Sequence, residues 1–154
     1  SFSGRAATTG GLLPTADVQH AVTGSGRVHT RAAVIYNVVV RPVGAPPPGA
    51  QVPLRIRGAG EVTVSSGSSL QQATGGVHIM GWGAGAAAQG GSDTASLNVD
   101  EIVTVTPNAA LEVRVIAWVD HVFGDENVSG EGQAVVDPEI VIDPAFPDAS
   151  DYFL

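Results

Sequence analysis

The chain has 154 residues, a size at which a single domain buries a full hydrophobic core. It contains no cysteine and no lysine, which excludes disulfides, thiolate metal sites, thiol nucleophiles and lysine-based chemistry. The net charge of −8 argues against nucleic acid as a partner, because phosphates repel an acidic surface. No apolar run is long enough to form a membrane-spanning helix.

Charge is divided unevenly along the sequence. Residues 1–57 contain six arginines and one acidic residue, whereas residues 58–154 contain one arginine and 14 acidic residues. Two interpretations stay open. Either the two halves pair with each other inside one fold, or the subunit is bipolar and attracts copies of itself.

Apolar residues recur at every second position, which indicates β-strands. Residues 33–40 are largely apolar on both faces and predict a central strand that is covered on both sides. Residues 51–57 alternate as a half-exposed strand does, and residues 111–120 form the longest such pattern. Shorter strand patterns follow at 62–64, 97–105, 134–136 and 140–142.

Turn-forming residues separate these strands, at 44–49, 107–109 and 124–127. No stretch shows the 3.6-residue apolar spacing of a helix. We therefore predict an all-β fold, a single antiparallel β-sandwich of roughly 8–10 strands with jelly-roll or immunoglobulin-like topology.

The first 16 residues have little strand character. Between Ser1 and Leu13 the large apolar side chains are those of Phe2, Leu12 and Leu13. Ordering such a segment costs about 1–2 kcal/mol per residue in backbone entropy, and it needs either a strand edge of its own chain or another subunit to hold it. We predict an extended segment at 1–16 that docks on a neighbouring subunit through these three side chains, followed by a sandwich domain at 17–154.

No catalytic motif is present, and we expect no enzyme activity and no cofactor. The four histidines have no metal-site spacing, which favours solvated or core-edge imidazoles. Oxygen ligands suitable for calcium gather around one predicted hairpin, at Asp120, Asp125, Glu126 and Asn127. An ordinary polar turn is the alternative interpretation.

The two tryptophans differ in their surroundings. Trp82 lies in the glycine-rich run 75–91, where it either stacks on a sugar ring or plugs one end of the sandwich. Trp118 lies beside Ile116 in the longest strand pattern and is predicted to belong to the core.

The C-terminal residues have a sequence pattern that is similar to that of a known protein family. Residues 137–146 read Asp-Pro-Glu-Ile-Val-Ile-Asp-Pro-Ala-Phe, and Asp-Tyr-Phe-Leu follows at 151–154. This sequence resembles the end of small exported bacterial β-sandwich proteins of the PEP-CTERM-associated type, and the pieces at 52–54 and 97–99 are similar to theirs in order. The resemblance implies a β-sandwich outside the cytoplasm, at the cell surface or beyond it, whose signal peptide has been removed. It brings no catalytic residues.

These observations favour a secreted structural protein, a subunit of an extracellular filament or matrix whose copies join by strand addition. The alternative is a carbohydrate-binding β-sandwich, which rests on Trp82 and on analogy between folds. The expected partners are copies of the chain itself and, in the alternative, a polysaccharide.

Overall fold

The computed structural model describes residues 1–9, 15–23, 26–68, 71–123 and 129–154. The fold is all-β with 78% of the described residues in strands, which confirms the predicted class. The described residues form strands β1 (Phe2–Thr9), β2 (Thr15–Thr23), β3 (Gly26–Val39), β4 (Arg41–Pro42), β5 (Val52–Ser66), β6 (Gln71–Ile79), β7 (Trp82–Gln89), β8 (Gly91–Val105), β9 (Ala110–Phe123), β10 (Ser129–Ile142) and β11 (Tyr152–Phe153), with a 3-10 turn at Ala149–Asp151. Over these residues, no helix has the length and apolar character needed to cross a membrane.

Two antiparallel sheets pack against each other, as the predicted sandwich requires. The five-stranded sheet has the order β1-β2-β10-β5-β8, and the four-stranded sheet has the order β3-β9-β6-β7. Strands β4 and β11 form a short ribbon of their own. The sheet orders place β1 and β3 at one side of the sandwich and β7 and β8 at the other.

Alternate side chains of the long strands build the core. Val52, Leu54 and Ile56 of β5 are fully buried, and the fully buried Val113 and Val115 of β9 in the other sheet belong to the same core cluster. The alternation predicted for residues 51–57 and 111–120 is confirmed. Each fully buried side chain of this size stabilises the fold by roughly 1.5–3 kcal/mol.

Glycines on the inner faces let the sheets approach closely. A Cβ atom on Gly75 of β6 would lie 2.6 Å from Cγ2 of Val62 and 3.1 Å from Cγ1 of Val64, both on β5. In the opposite direction, a Cβ atom on Gly60 of β5 would lie 3.0 Å from Cγ2 of Val77 on β6. Valines of each sheet therefore occupy the space that glycines of the other leave free.

The strand predicted to be central is an edge strand. Its apolar faces lie in β3, which pairs on one side with β9 and ends the four-stranded sheet. Ile35 on its outer face is 58% exposed, and Val34 and Tyr36 on its inner face are half-buried. The two-residue period identifies which side chains share a face, but it carries no information about what covers that face.

The N-terminal segment belongs to the sandwich of its own chain. Phe2–Thr9 pairs along its whole length with Thr15–Thr23, so this part of the predicted 1–16 segment is the edge strand of its own five-stranded sheet. The carbonyl of Ser1 accepts the N–H of Thr23 at 2.9 Å, and the Ser1 amino group donates to the Thr23 carbonyl. Main-chain hydrogen bonds hold this segment, and composition alone does not reveal them.

The C-terminal Asp-Pro-Ala-Phe sequence at 143–146 forms a turn that returns the chain to the sandwich. The N–H of Asp143 donates to the carbonyl of Pro53, and the carbonyl of Asp143 accepts the N–H of Phe146, both at 2.9 Å. The rings of Phe146 and Tyr152 lie 5.9 Å apart and pack against the core. The residues that carry the family resemblance therefore have a structural role here.

Candidate interaction surfaces

Two buried histidines connect the sheets. His20 on β2 and His121 on β9 are 4% and 0% exposed, with ring centroids 4.6 Å apart. His20 Nδ1 lies 2.8 Å from the hydroxyl oxygen of Thr30, and His20 Nε2 is hydrogen-bonded to His121 Nδ1. His121 Nε2 lies 2.9 Å from the carbonyl oxygen of Ser65. A continuous chain of hydrogen bonds thus crosses the interior.

The carbonyl at the end of this chain fixes its direction. A carbonyl only accepts, so His121 carries its hydrogen on Nε2 and its Nδ1 accepts from His20 Nε2. His20 Nδ1 then accepts from the hydroxyl of Thr30. Burial lowers the pKa of His20 to about 4 and also lowers the pKa of His121, so both rings are neutral at pH 7.

Sequence reasoning missed this pair because the two residues are 101 positions apart. A usable signal was nevertheless present. His20 follows Ala16 and Val18 at a spacing of two, and His121 follows Val119 in the same way, so both imidazoles fall on inward-facing positions. Alternation predicts their burial, whereas their contact depends on how the sheets are stacked.

The predicted calcium ligand Asp120 is paired with an arginine. Its two carboxylate oxygens each lie 3.1 Å from Nε of Arg27, and Nη2 of Arg27 completes the ion pair. A carboxylate neutralised in this way is a poor cation ligand. The other candidate ligands, Asp125, Glu126 and Asn127, lie outside the described residues. Over the ranges that the structure describes, no three His, Asp or Glu side chains group closely enough to hold a metal ion.

The two tryptophans lie on opposite faces of the four-stranded sheet. Trp82 begins β7, and its half-buried side chain packs against the core, which is the plug interpretation and not the glycan-stacking one. Trp118, predicted to be core, is half-buried on the outer face of β9. In that strand Val115, Ala117 and Val119 take the inward positions. Trp118 lies between the last two, so its side chain points outward.

The assembly residues predicted near the N-terminus are only partly placed. Phe2 is 58% exposed, and its ring lies 6.4 Å from that of His20 in an edge-on arrangement. Leu12 and Leu13 lie outside the described residues.

Two rings lie across glycines on the outer face of the four-stranded sheet. Trp118 is opposite Gly76 in the β6–β9 pairing, and a Cβ atom on Gly76 would lie 2.7 Å from the indole Nε1 and 2.9 Å from Cε2. His78 is opposite Gly83 in the β6–β7 pairing, and a Cβ atom there would lie 2.6 Å from Cε1 of His78. Each ring therefore occupies the space directly above a glycine that has no side chain.

These rings line a shallow groove of about 450 Å³, which we name the ring face. The His29 ring lies 6.2 Å from that of Trp118 and is tilted by 26° from it. The remaining side chains of the ring face are those of Arg27, Arg31, Thr74, Ile116 and Asp120. The surface combines aromatic, cationic and hydrogen-bonding groups on a rigid sheet.

The edge strands at the two sides of the sandwich carry opposite charges. Strands β1 and β3 contain three arginines and no acidic residue, namely Arg5, Arg27 and Arg31. Strand β8 contains three acidic residues and no basic one, namely Asp93, Asp100 and Glu101, and β7 is uncharged. Within the described part of the chain, β1 pairs only with β2 and β8 pairs only with β5.

Ion pairs inside the chain join its basic and acidic halves. Asp100 contacts Nε of Arg55 at 2.5 Å and Nε of Arg57 at 3.6 Å, and Arg27 contacts Asp120 as described above. These contacts support the interpretation that the halves pair within one fold. The Arg55 guanidinium lowers the pKa of Asp100 through its hydrogen bond.

Two charged side chains on the edge strands are free to contact another molecule. Arg5 and Glu101 are exposed, and neither has an ion pair with another described residue. Asp93 is engaged differently, because its Oδ2 accepts the N–H of Ala87 at 2.8 Å. That N–H belongs to β7, on the edge that pairs with no other described strand.

Comparison with known proteins gives little. No protein-family model matches the chain, and no curated protein matches it. Among solved structures, a chain of "Structure of infectious bursal disease virus Gx strain" aligns with a TM-score of 0.18 and 11% identity, over 80% of this chain and 40% of that chain. This chain therefore spans less than half the length of the viral one, and a likeness this weak carries no argument.

Proposed function

We propose that this chain is a non-enzymatic structural protein whose copies assemble head to tail through the free edges of the five-stranded sheet. Strand β1 of one copy adds to β8 of the next, so that the sheet continues across the contact. The observation that carries this proposal is the opposite charge of the two edges, basic at β1 and acidic at β8.

Charge selects a contact between unlike edges. Pairing β1 with β1 brings arginine to arginine, and pairing β8 with β8 brings acidic residues together, so like-charge repulsion disfavours both. Pairing β1 with β8 brings opposite charges together. Arg31 on the adjacent β3, which is exposed and has no ion pair with another described residue, adds to the positive potential on the β1 side.

The free edges also supply main-chain hydrogen bonds. An edge strand presents unpaired N–H and C=O groups at alternate positions, and β8, with 15 residues, can match all eight residues of β1. Phe2 on β1 and Ile102 on β8 are 58% and 55% exposed, and docking removes part of that apolar surface from water. In this arrangement β1 stays in its own sheet and offers its second edge.

A contact between two different surfaces propagates unless its rotation closes a ring, so the expected product is an open filament. The resemblance of residues 137–154 to exported bacterial proteins supports an extracellular or cell-surface location for it.

Reversing one edge charge is expected to weaken assembly by about tenfold or more, because like charges then face each other across the contact. The variants are Glu101→Arg on β8 and Arg5→Glu on β1, which disturb no ion pair between described residues. Sedimentation velocity over a concentration series measures the loss, and electron microscopy shows whether filaments remain. Glu61→Arg is the matched control, because Glu61 is exposed on the central strand β5.

Mixing the two edge variants tests the pairing itself. The reversed β8 of Glu101→Arg is complementary to the reversed β1 of Arg5→Glu, so an equimolar mixture is expected to regain assembly that neither variant shows alone. A wild-type protein that stays monomeric at high concentration contradicts the proposal. So does a Glu101→Arg variant that assembles as well as Glu61→Arg.

Salt is expected to weaken the contact. Raising the ionic strength to about 0.5 M shortens the screening length to roughly 4 Å, which removes most of the attraction between exposed charges. We expect the sedimentation coefficient at a fixed protein concentration to fall between about 0.05 M and 0.5 M NaCl. Assembly that is indifferent to salt, or that grows with it, would show that charge does not select the edges.

A further inference from the structure

We propose that the ring face binds a neutral β-linked hexopyranose glycan, with Trp118 as the stacking residue. This inference is independent of the assembly, because the ring face lies on the four-stranded sheet and the proposed contact uses the five-stranded one. It also moves the sugar-binding interpretation away from Trp82, which packs against the core.

The orientation of the rings carries the argument. A strand side chain ordinarily stands roughly perpendicular to its sheet and presents its edge to a ligand lying on the surface. Over Gly76 and Gly83 the rings of Trp118 and His78 lie across the backbone instead. A ring in that position turns a face outward, and the face of an aromatic ring carries the negative part of its quadrupole.

A pyranose whose hydroxyl groups are equatorial is complementary to such a face. Its axial C–H bonds form a flat apolar surface of slight positive charge, which stacks on the indole. The ring of His29 lies 6.2 Å from that of Trp118 at a tilt of only 26°, so the two rings extend one surface. A β-linked chain with equatorial linkages repeats its flat face from one sugar to the next and can follow that surface.

The polar groups around the rings suit hydroxyl groups. The guanidinium of Arg27 and the carboxylate of Asp120 hold each other in place, and each still has hydrogen-bonding capacity for a sugar hydroxyl. A pair already ordered loses little entropy when it binds. The hydroxyl of Thr74 and the guanidinium of Arg31 stand at the same groove.

The overall charge of the protein favours a neutral glycan over nucleic acids and acidic polysaccharides. Nucleobases also stack on aromatic rings, but a nucleic acid strand extends beyond the groove onto a protein of net charge −8, which repels its phosphates. Polyuronates are repelled for the same reason. A neutral glycan escapes this penalty.

Cellohexaose is the probe, and isothermal titration calorimetry and tryptophan emission measure its binding. The Trp118→Ala variant is expected to bind at least about tenfold more weakly than the wild type. Trp82→Phe is the matched control and is expected to bind as the wild type does. In that control Trp118 is the sole tryptophan, so a change of its emission on saturation places the sugar at the ring face.

A second variant separates the orientation of the ring from its presence. Gly76→Ala keeps the indole but puts a methyl group where Trp118 now lies, so the ring must lift and binding is expected to fall by about tenfold as well. Alanine fits a strand position, and far-ultraviolet circular dichroism checks that the fold is kept. Glu101→Arg, which is directed at the proposed assembly, is expected to leave cellohexaose binding unchanged.

Three results would overturn the inference. The first is a wild-type protein that binds no cellohexaose at millimolar concentration. The second is a folded Trp118→Ala variant that binds as the wild type does. The third is binding of polygalacturonate in preference to cellohexaose, which would show that charge and not the ring face selects the ligand.

Discussion

Replacing Gly75 with valine is expected to lower the free energy of unfolding by about 3 kcal/mol or more, or to prevent folding. The first added carbon atom would lie 2.6 Å from Cγ2 of Val62 and 3.2 Å from the carbonyl oxygen of Trp118. The valine belongs to the facing sheet, and the carbonyl belongs to the backbone of the neighbouring strand β9. Neither can retreat unless the sheets separate or the β6–β9 pairing breaks.

Urea denaturation measures this effect, with Gly44→Ala as the control. A Cβ atom on Gly44 would meet no heavy atom within 4 Å, so that variant is expected to unfold within about 0.5 kcal/mol of the wild type. Adding Val62→Ala to Gly75→Val is expected to restore part of the loss, because it removes the side chain that the new one strikes. Equal stability of Gly75→Val and Gly44→Ala would show that the sheets are not interlocked at this point.

Stability is expected to fall as the pH drops from about 6.5 to about 4, because of the buried histidine pair. Burial lowers the pKa of His20 to about 4 and lowers that of His121, whereas both take up a proton near pH 6.5 in the unfolded chain. The unfolded state therefore binds more protons in this window, so acidification favours unfolding. The negative charge of Asp120 opposes the shift at both rings, and the neighbouring His29 adds to it at His20.

The expected loss across that window is on the order of 2 kcal/mol, less than the full pKa difference implies, because solvent near the sheet edge screens the charges. Thermal melts at a series of pH values measure it. The double variant His20→Gln, His121→Gln keeps hydrogen-bonding groups at both positions and is expected to flatten the profile between pH 6.5 and 4. An unchanged profile in that variant would assign the acid sensitivity to other groups.

Sequence alone predicted the strands well where one face of a strand is buried. The alternation of Val52, Leu54 and Ile56 with polar neighbours, and that of Val113 and Val115 with theirs, reports burial directly. The absence of any helical period was equally informative about the fold class. Both signals are local in sequence. They predict the secondary structure and the buried face of a strand in the same way for every possible strand order.

What sequence could not predict depends on which strands and faces meet. Residues 33–39 have the composition of a central strand, yet β3 lies at an edge. Trp118 is a large apolar residue of the type found in cores, yet its strand neighbours Ala117 and Val119 take the inward positions. The contact between His20 and His121 joins two different sheets. In each case the deciding fact is a tertiary neighbour far away in sequence.

Asp93 gives the proposed filament an asymmetric cross-section. Its carboxylate accepts the N–H of Ala87 at the edge of β7. A strand added at that edge would need the same N–H as a hydrogen-bond donor. In a fibre built through β8, backbone hydrogen bonding would therefore run without interruption through the five-stranded sheets only, while successive four-stranded sheets would meet through side chains. Such a fibre would resist stretching along the layer of five-stranded sheets, and it would bend more easily by opening the contacts between the four-stranded sheets.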